Sequence, residues 1–164
     1  MKKTLIIATL FLTFGALADE HDHQDCPMHA AHMHAADVDH RGDAVMGFSH
    51  ETTKHSFKVY DDGGAIEVRA LKSDDTKSID AIRAHLKEVA KEFASGDFAK
   101  PQAIHAMNPP GADVMASRKE KIKYEYVEIE NGARVRITTN DAPALDAVHR
   151  FLKFQIEEHR AWPE

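Results

Sequence analysis

Residues 56–71 have the sequence SFKVYDDGGAIEVRAL, and this stretch decides the fold. Apolar and polar side chains alternate on both sides of the turn signal DDGG at residues 61–64. Such alternation is typical of half-buried strands, and a short glycine-containing break between two of them predicts a β-hairpin. A helix should follow, because apolar residues recur at three- and four-residue steps between Ile79 and Phe93 before Gly96 ends the pattern.

The same ββα pattern recurs in the second half of the chain. Residues 122–129 and 134–139 are strand-like and flank the hairpin signal NG at residues 131–132. An amphipathic helix follows, and the helices of the two halves match in sequence, with IDAI at residues 79–82 and LDAV at residues 145–148. The match indicates two related ββα units.

We therefore predict an α+β fold in which tandem ββα units, at about residues 54–96 and 120–160, pack with pseudo-twofold symmetry. The units should form one four-stranded antiparallel sheet packed by two main helices. The predicted core combines the apolar stripes of the helices with inward-facing strand residues. These core residues are Ile79, Ile82, Leu86, Val89, Phe93, Leu145, Val148, Leu152 and Ile156 on the helices, and Phe57, Val59, Ile66, Val68, Tyr124, Val135 and Ile137 on the strands.

The first 42 residues have a different composition. Residues 1–18 combine a positive start, an apolar run and small residues at the end, which predicts a signal peptide cleaved after Ala18. The apolar run is shorter than the roughly 20 residues that span a bilayer, so we expect a periplasmic protein without a membrane anchor after cleavage. Residues 19–42 offer few aliphatic side chains to bury and are predicted to form a disordered tail. Residues 43–164 should form a single domain.

The tail is dense in metal-binding side chains. Between Asp19 and His40 the chain holds six histidines, two methionines, its only cysteine and six acidic residues, with no lysine or arginine. Imidazole, thiolate and thioether are donors that transition metals select, and the lack of cations keeps the local field attractive to a metal ion. The candidate metal ligands are His21, His23, Cys26, Met28, His29, His32, Met33, His34 and His40.

The donor types favour copper, with nickel or zinc as alternatives. Cleavage after Ala18 would create the terminus Asp19-Glu20-His21, whose amine, two amides and imidazole can hold Cu(II) or Ni(II) in a square plane. This arrangement resembles the amino-terminal copper and nickel motif of several secreted proteins, and the whole tail resembles periplasmic metal-binding tails. The expected partners are a metal ion and, for delivery, another periplasmic metal-transfer protein.

Six further histidines lie in the domain region, and two of them, His50 and His159, are expected to be exposed. His149 should be partly buried, because it lies on the apolar side of the last helix. A second metal or haem site requires the long connector, residues 97–119, to fold across the sheet. The candidates for that site are His55, His85, His105, His149, Met46 and Met115.

Several function classes are disfavoured by what the sequence contains. The formal net charge is −6 and no basic stripe occurs, so nucleic acid is a poor partner. The sequence has no haem-attachment motif, phosphate loop, nucleophile elbow or dinucleotide fingerprint, so it assigns no catalytic residue and favours a protein without enzymatic activity. The alternatives are a haem- or metal-site domain or enzyme that uses the domain histidines, and an interaction module with an incidental tail.

Scattered segments of the domain resemble a set of small exported bacterial proteins. They are Met46-Gly47-Phe48, the segment from Thr53 to Phe57, the strand from Gly63 to Val68, Pro109-Pro110-Gly111 with Met115, and Val148-His149 through Phe154-Gln155-Ile156 in the last helix. The resemblance covers most of the chain from Val45 to His159 and implies one compact exported domain. It transfers no catalytic residue, and the histidine-rich tail lies outside it.

Overall fold

The computed structural model describes residues 27–159, with side chains from residue 36 onward. The described part begins with helix α1, Pro27–Met46. The first ββα unit follows, with strand β1 at Thr53–Tyr60, strand β2 at Gly63–Ala70 and helix α2 at Thr76–Ser95.

The connector between the units is partly helical. It contains α3, Ala99–His105, and α4, Ala112–Ser117. The second unit consists of β3 at Ile122–Ile129, β4 at Gly132–Thr139 and α5 at Ala142–Glu158. No helix in the described part of the chain is long and apolar enough to cross a membrane.

The predicted α+β fold is confirmed. The four strands form one antiparallel sheet in the order β1-β2-β4-β3, so the inner strand of each unit pairs with the inner strand of the other. This pairing is symmetric, because Ile66 and Val135, each the fourth residue of its strand, lie opposite one another. The helices are exchanged between the units: α2 packs mainly on β3 and β4, whereas α5 packs mainly on β1 and β2.

Local sequence explains where the two main helices begin and how closely one approaches the sheet. The Asp75 carboxylate accepts a hydrogen bond from the Ser78 amide, and Asp141 caps α5 in the same way. A β-carbon at Gly64 would collide with Leu152 and with the Lys58 carbonyl oxygen. Glycine at that position therefore lets α5 lie directly on β2.

Most of the predicted core is buried. Tyr124 of β3 is only partly buried, and three further corrections follow. Val59 is 37% exposed, because it lies near the end of the edge strand β1. Leu145 and Ile156 are only partly buried, since the buried face of α5 is rotated toward Phe151 and Gln155. Phe151, which is 1% exposed, is a core residue that the predicted stripe omitted.

The domain begins before Asp43, where composition placed its start. Val38 is completely buried, and the Arg41 Nε donates a hydrogen bond of 2.6 Å to the Ile104 carbonyl oxygen of α3. These contacts join the C-terminal part of α1 to the domain, so the last residues of the predicted tail, from Val38 onward, pack against it. The signal peptide and tail residues 19–26 lie outside the described residues.

Candidate functional site in a histidine-lined cavity

A cavity of about 60 Å³ lies between the helix-bearing face of the sheet, α2 and α5. Helices α1 and α3 cover it. Most of its lining is aliphatic or aromatic, and the exceptions are side chains with nitrogen, oxygen or sulfur atoms. These are His55, His85, His159, Gln155, Lys100 and the thioether of Met46.

His55 belongs to β1 and points toward the helices, as does its neighbour on the same strand face, Phe57. Its ring stacks on Phe48, with the centroids 5.9 Å apart. The Nε2 atom is buried and has no hydrogen-bond partner among the described residues. Burial, together with a smaller contribution from the nearby His85, lowers the pKa of His55 to about 4. The imidazole is therefore neutral at ordinary pH and presents a nitrogen atom without a partner.

His85 lies on α2 at the border of its buried stripe, as its spacing predicted. Burial lowers its pKa to about 4, and the Lys100 ammonium acts in the same direction. Lys100 itself donates hydrogen bonds to Glu88, at 2.6 Å, and to Glu92, at 2.7 Å. Burial alone would lower the pKa of Lys100, but these carboxylates outweigh it and raise the pKa.

The prediction that His159 is exposed is wrong. Its ring stacks on His55, with centroids 5.8 Å apart and planes 14° apart, and lies 5.4 Å from the Phe57 ring. The reason is that α5 runs over β1, so the residue that ends this helix reaches the cavity. Burial lowers the pKa of His159 to about 3, with His55 and His105 adding to the effect.

His105 lies beside the cavity at the end of α3. Its side chain is completely buried, and its ring centroid is 5.0 Å from that of His159. Its Nε2 donates to Gln155 Oε1 at 3.0 Å, while Nδ1 lies 3.5 Å from a carboxylate oxygen of Glu158. Burial lowers the pKa of His105, although Gln155 and Glu158 oppose the shift.

Two cavity residues also border the outside. Met46 and His85 line an open groove between the C-terminal end of α1 and α2, together with Gly47 and Glu88. The same two side chains therefore form the wall between this groove and the cavity.

The structure brings together part of the predicted second site. Met46, His55 and His85 line one cavity, and His105 is adjacent to it. Met115 is fully buried elsewhere, and His149 is partly buried on the far side of α5, as predicted, where its Nε2 donates to the Tyr60 carbonyl oxygen at 2.8 Å.

The remaining predicted ligands belong to the tail. Of the nine, only His40 has a described side chain, and it is exposed on α1. His50 is exposed as predicted and lies 3.1 Å from an Asp43 carboxylate oxygen. No three His, Cys, Asp or Glu side chains among the described residues are arranged to hold a metal ion as they stand.

Sequence reasoning missed His159, although a signal was present. When the IDAI segment of α2 is aligned with the LDAV segment of α5, His159 aligns with Phe93. Since Phe93 is a predicted core residue, its counterpart should have been assigned to the interior.

Comparison with other proteins gives no further evidence on function. No protein-family profile, no curated protein and no solved structure matches the chain.

Proposed function

We propose that this chain is an exported protein that binds copper through its histidine-, methionine- and cysteine-rich tail and stores or delivers it by ligand exchange. One observation carries the proposal: nine soft or borderline donors lie between His21 and His40 with no lysine or arginine among them. Nickel and zinc are the competing ions.

The donor types divide between the two oxidation states of copper. Cys26, Met28 and Met33 supply the sulfur ligands that Cu(I) prefers. A terminus at Asp19 would offer four nitrogen ligands for Cu(II), with His21 as the last of them. Binding should weaken in acid, because protons compete with metal for imidazole and thiolate.

The domain gives this tail a folded support. Helix α1 carries the C-terminal part of the tail, including the exposed His40, and is joined to α3 through Arg41. The competing class is a haem protein or enzyme built on the domain histidines. The cavity lined by His55, His85 and His159, at about 60 Å³, is much smaller than the roughly 300–1,000 Å³ pockets that take ligands of that size. The open groove beside His85 is larger, at about 730 Å³, but His85 is the one histidine among the described residues that line it.

The test compares the full processed chain with a tail-silenced chain of the same length. In the latter, His21, His23, His29, His32, His34 and His40 become Gln, Met28 and Met33 become Leu, and Cys26 becomes Ser. Equilibrium dialysis with elemental analysis should show that silencing removes at least one bound copper ion per chain. Equal copper uptake by the two chains would refute the proposal, and greater uptake of nickel or zinc would refute the choice of metal.

A matched control and a terminal assay accompany this test. His50→Gln removes an exposed histidine outside the tail and should leave copper uptake unchanged. Intact mass of the exported protein tests the terminus at Asp19. A visible absorption band typical of four nitrogen donors to Cu(II), lost on His21→Ala, tests the square-planar site.

A further inference from the structure

We propose that the histidine-lined cavity is a second, buried Cu(I) site, with His55 Nε2 as the anchoring ligand. The other donors come from His85, His159 and the Met46 thioether, which line the same cavity. The site goes beyond the proposed role of the tail and does not depend on it.

The first argument is the unsatisfied nitrogen of His55. Buried polar side-chain atoms in folded proteins nearly always have a partner, because leaving one unpaired destabilises the folded state. His55 Nε2 is buried beside the cavity and has no partner among the described residues. A bound metal ion would satisfy this lone pair.

The second argument comes from the internal symmetry. His55 and Tyr124 are each the third residue of the first strand in their unit. His159 occupies the position of Phe93 when the IDAI and LDAV segments of the two helices are aligned. The fold thus accepts a tyrosine and a phenylalanine at the equivalent positions, neither of which offers an imidazole nitrogen, so packing does not explain why one unit has imidazoles instead.

The third argument is the chemistry of the donors. No carboxylate is among the described side chains that line the cavity, and the Lys100 ammonium, which does line it, is paired with Glu88 and Glu92. Neutral imidazoles with a thioether favour a soft, singly charged ion such as Cu(I) over Ca²⁺, Mg²⁺ or Mn²⁺.

The His55 and His159 rings are already at a suitable distance to share one ion, but one of them must rotate. Two imidazoles bound to one ion at about 2.0 Å place their ring centroids roughly 5–6 Å apart. The His55 and His159 centroids are 5.8 Å apart, but the rings are stacked, so their nitrogen atoms do not yet point at a common centre. Loading therefore turns one ring within the cavity. The groove bordered by Met46 and His85 provides the route inward.

The test uses the full-length, tail-silenced chain with Cu(I) as the probe, under anaerobic conditions and in competition with a chromophoric Cu(I) chelator. We expect one Cu(I) per chain, and X-ray absorption should show nitrogen ligands and one sulfur ligand. His55→Phe, which keeps a ring and removes the nitrogen, should abolish binding. Met46→Leu should weaken it by at least about tenfold.

The controls are matched to each change. Met115→Leu alters a buried methionine outside the cavity, and His149→Gln alters a histidine whose nitrogen already has a partner. Both should leave Cu(I) affinity unchanged. If His55→Phe fails to fold, Met46→Leu and the sulfur signal decide the question.

The outcomes separate the two proposals. A tail-silenced chain that binds no Cu(I), or that binds it equally well without His55 and Met46, would overturn the cavity site and leave the tail proposal intact. Equal zinc affinity would overturn the choice of Cu(I). Conversely, a processed chain that binds only the one cavity ion would overturn the tail proposal and support the cavity site.

Discussion

The two ββα units place chemically different rings at equivalent positions. In one unit's half of the core, His55 lies 5.8 Å from His159; in the other, Tyr124 lies 5.9 Å from Phe93. Tyr124 also has a buried hydroxyl without a partner among the described residues, and burial raises its pKa. The comparison indicates that the fold requires an aromatic ring at each position. It does not require the ring nitrogen atoms of His55 and His159.

At a second pair of equivalent positions, two different side chains make the same contact. His149 on α5 and Arg83 on α2 both donate hydrogen bonds to backbone carbonyl oxygens of the hairpin beneath them, at Tyr60 and Gly132. Because the two units use different side chains for the same contact, we expect the role of His149 to be structural.

The largest expected effect is the loss of stability of the metal-free protein in acid. The folded-state pKa values of His55 and His85 are about 4 and that of His159 is about 3, compared with about 6.5 in an unfolded chain. A lowered folded pKa means that the stabilisation is complete above about pH 6.5 and is lost as the pH falls toward 4. We expect the free energy of unfolding to fall by about 5 kcal/mol or more over this window.

This prediction can be checked by urea denaturation at several pH values. His159→Phe installs the ring of the other unit and should reduce the slope by about 1.4 kcal/mol per pH unit within the window. An unchanged slope in this variant would mean that His159 is not buried as described.

The next effect concerns two equivalent leucines. Leu86 and Leu152 are 2% and 0% exposed, and replacing either with alanine should cost about 2–5 kcal/mol because each leaves a cavity in the core. Chemical denaturation of both variants measures the difference. Leu86 lines the existing cavity and Leu152 does not. We expect the Leu86 variant to lose less stability, because the residues around it have more freedom to relax. A larger loss for the Leu86 variant would contradict this expectation.

A smaller effect is expected for His149. His149→Ala should lower stability by about 1 kcal/mol, because it removes one hydrogen bond to the Tyr60 carbonyl oxygen. The melting temperature should fall while bound copper stays constant. Loss of a copper ion from the tail-silenced chain on this change would contradict the structural role.

The smallest effect concerns a surface ion pair present in only one unit. Arg150 and Asp146 pair at 2.8 Å on α5, whereas the matching position to Arg150 on α2 is Ala84. Arg150→Ala should change the free energy of unfolding by no more than about 0.5 kcal/mol, since both side chains are well exposed. A cost above about 1 kcal/mol would show that the unmatched pair has a role beyond the helix surface.

The sequence predicted the sheet and both main helices because strand alternation, turn residues and helical spacing are local signals. It failed at Val59, since exposure at the end of an edge strand depends on strand order, which the alternation does not reveal. It placed His55 and His85 as candidates but not His159, because their convergence depends on α5 crossing onto β1. The exchange of helices between the units is a tertiary feature without a local signal.

The continuity of α1 has a kinetic consequence. An α-helix rises about 1.5 Å per residue, so the backbone at His34 lies roughly 18 Å from that at Met46, and His29 lies roughly 26 Å away. A copper ion held by the proposed ligands His29 or His34 would therefore lie too far from the cavity of its own molecule for direct ligand exchange while α1 stays intact. Transfer from the tail to the cavity would then occur by collision between two molecules, and its rate should rise with protein concentration.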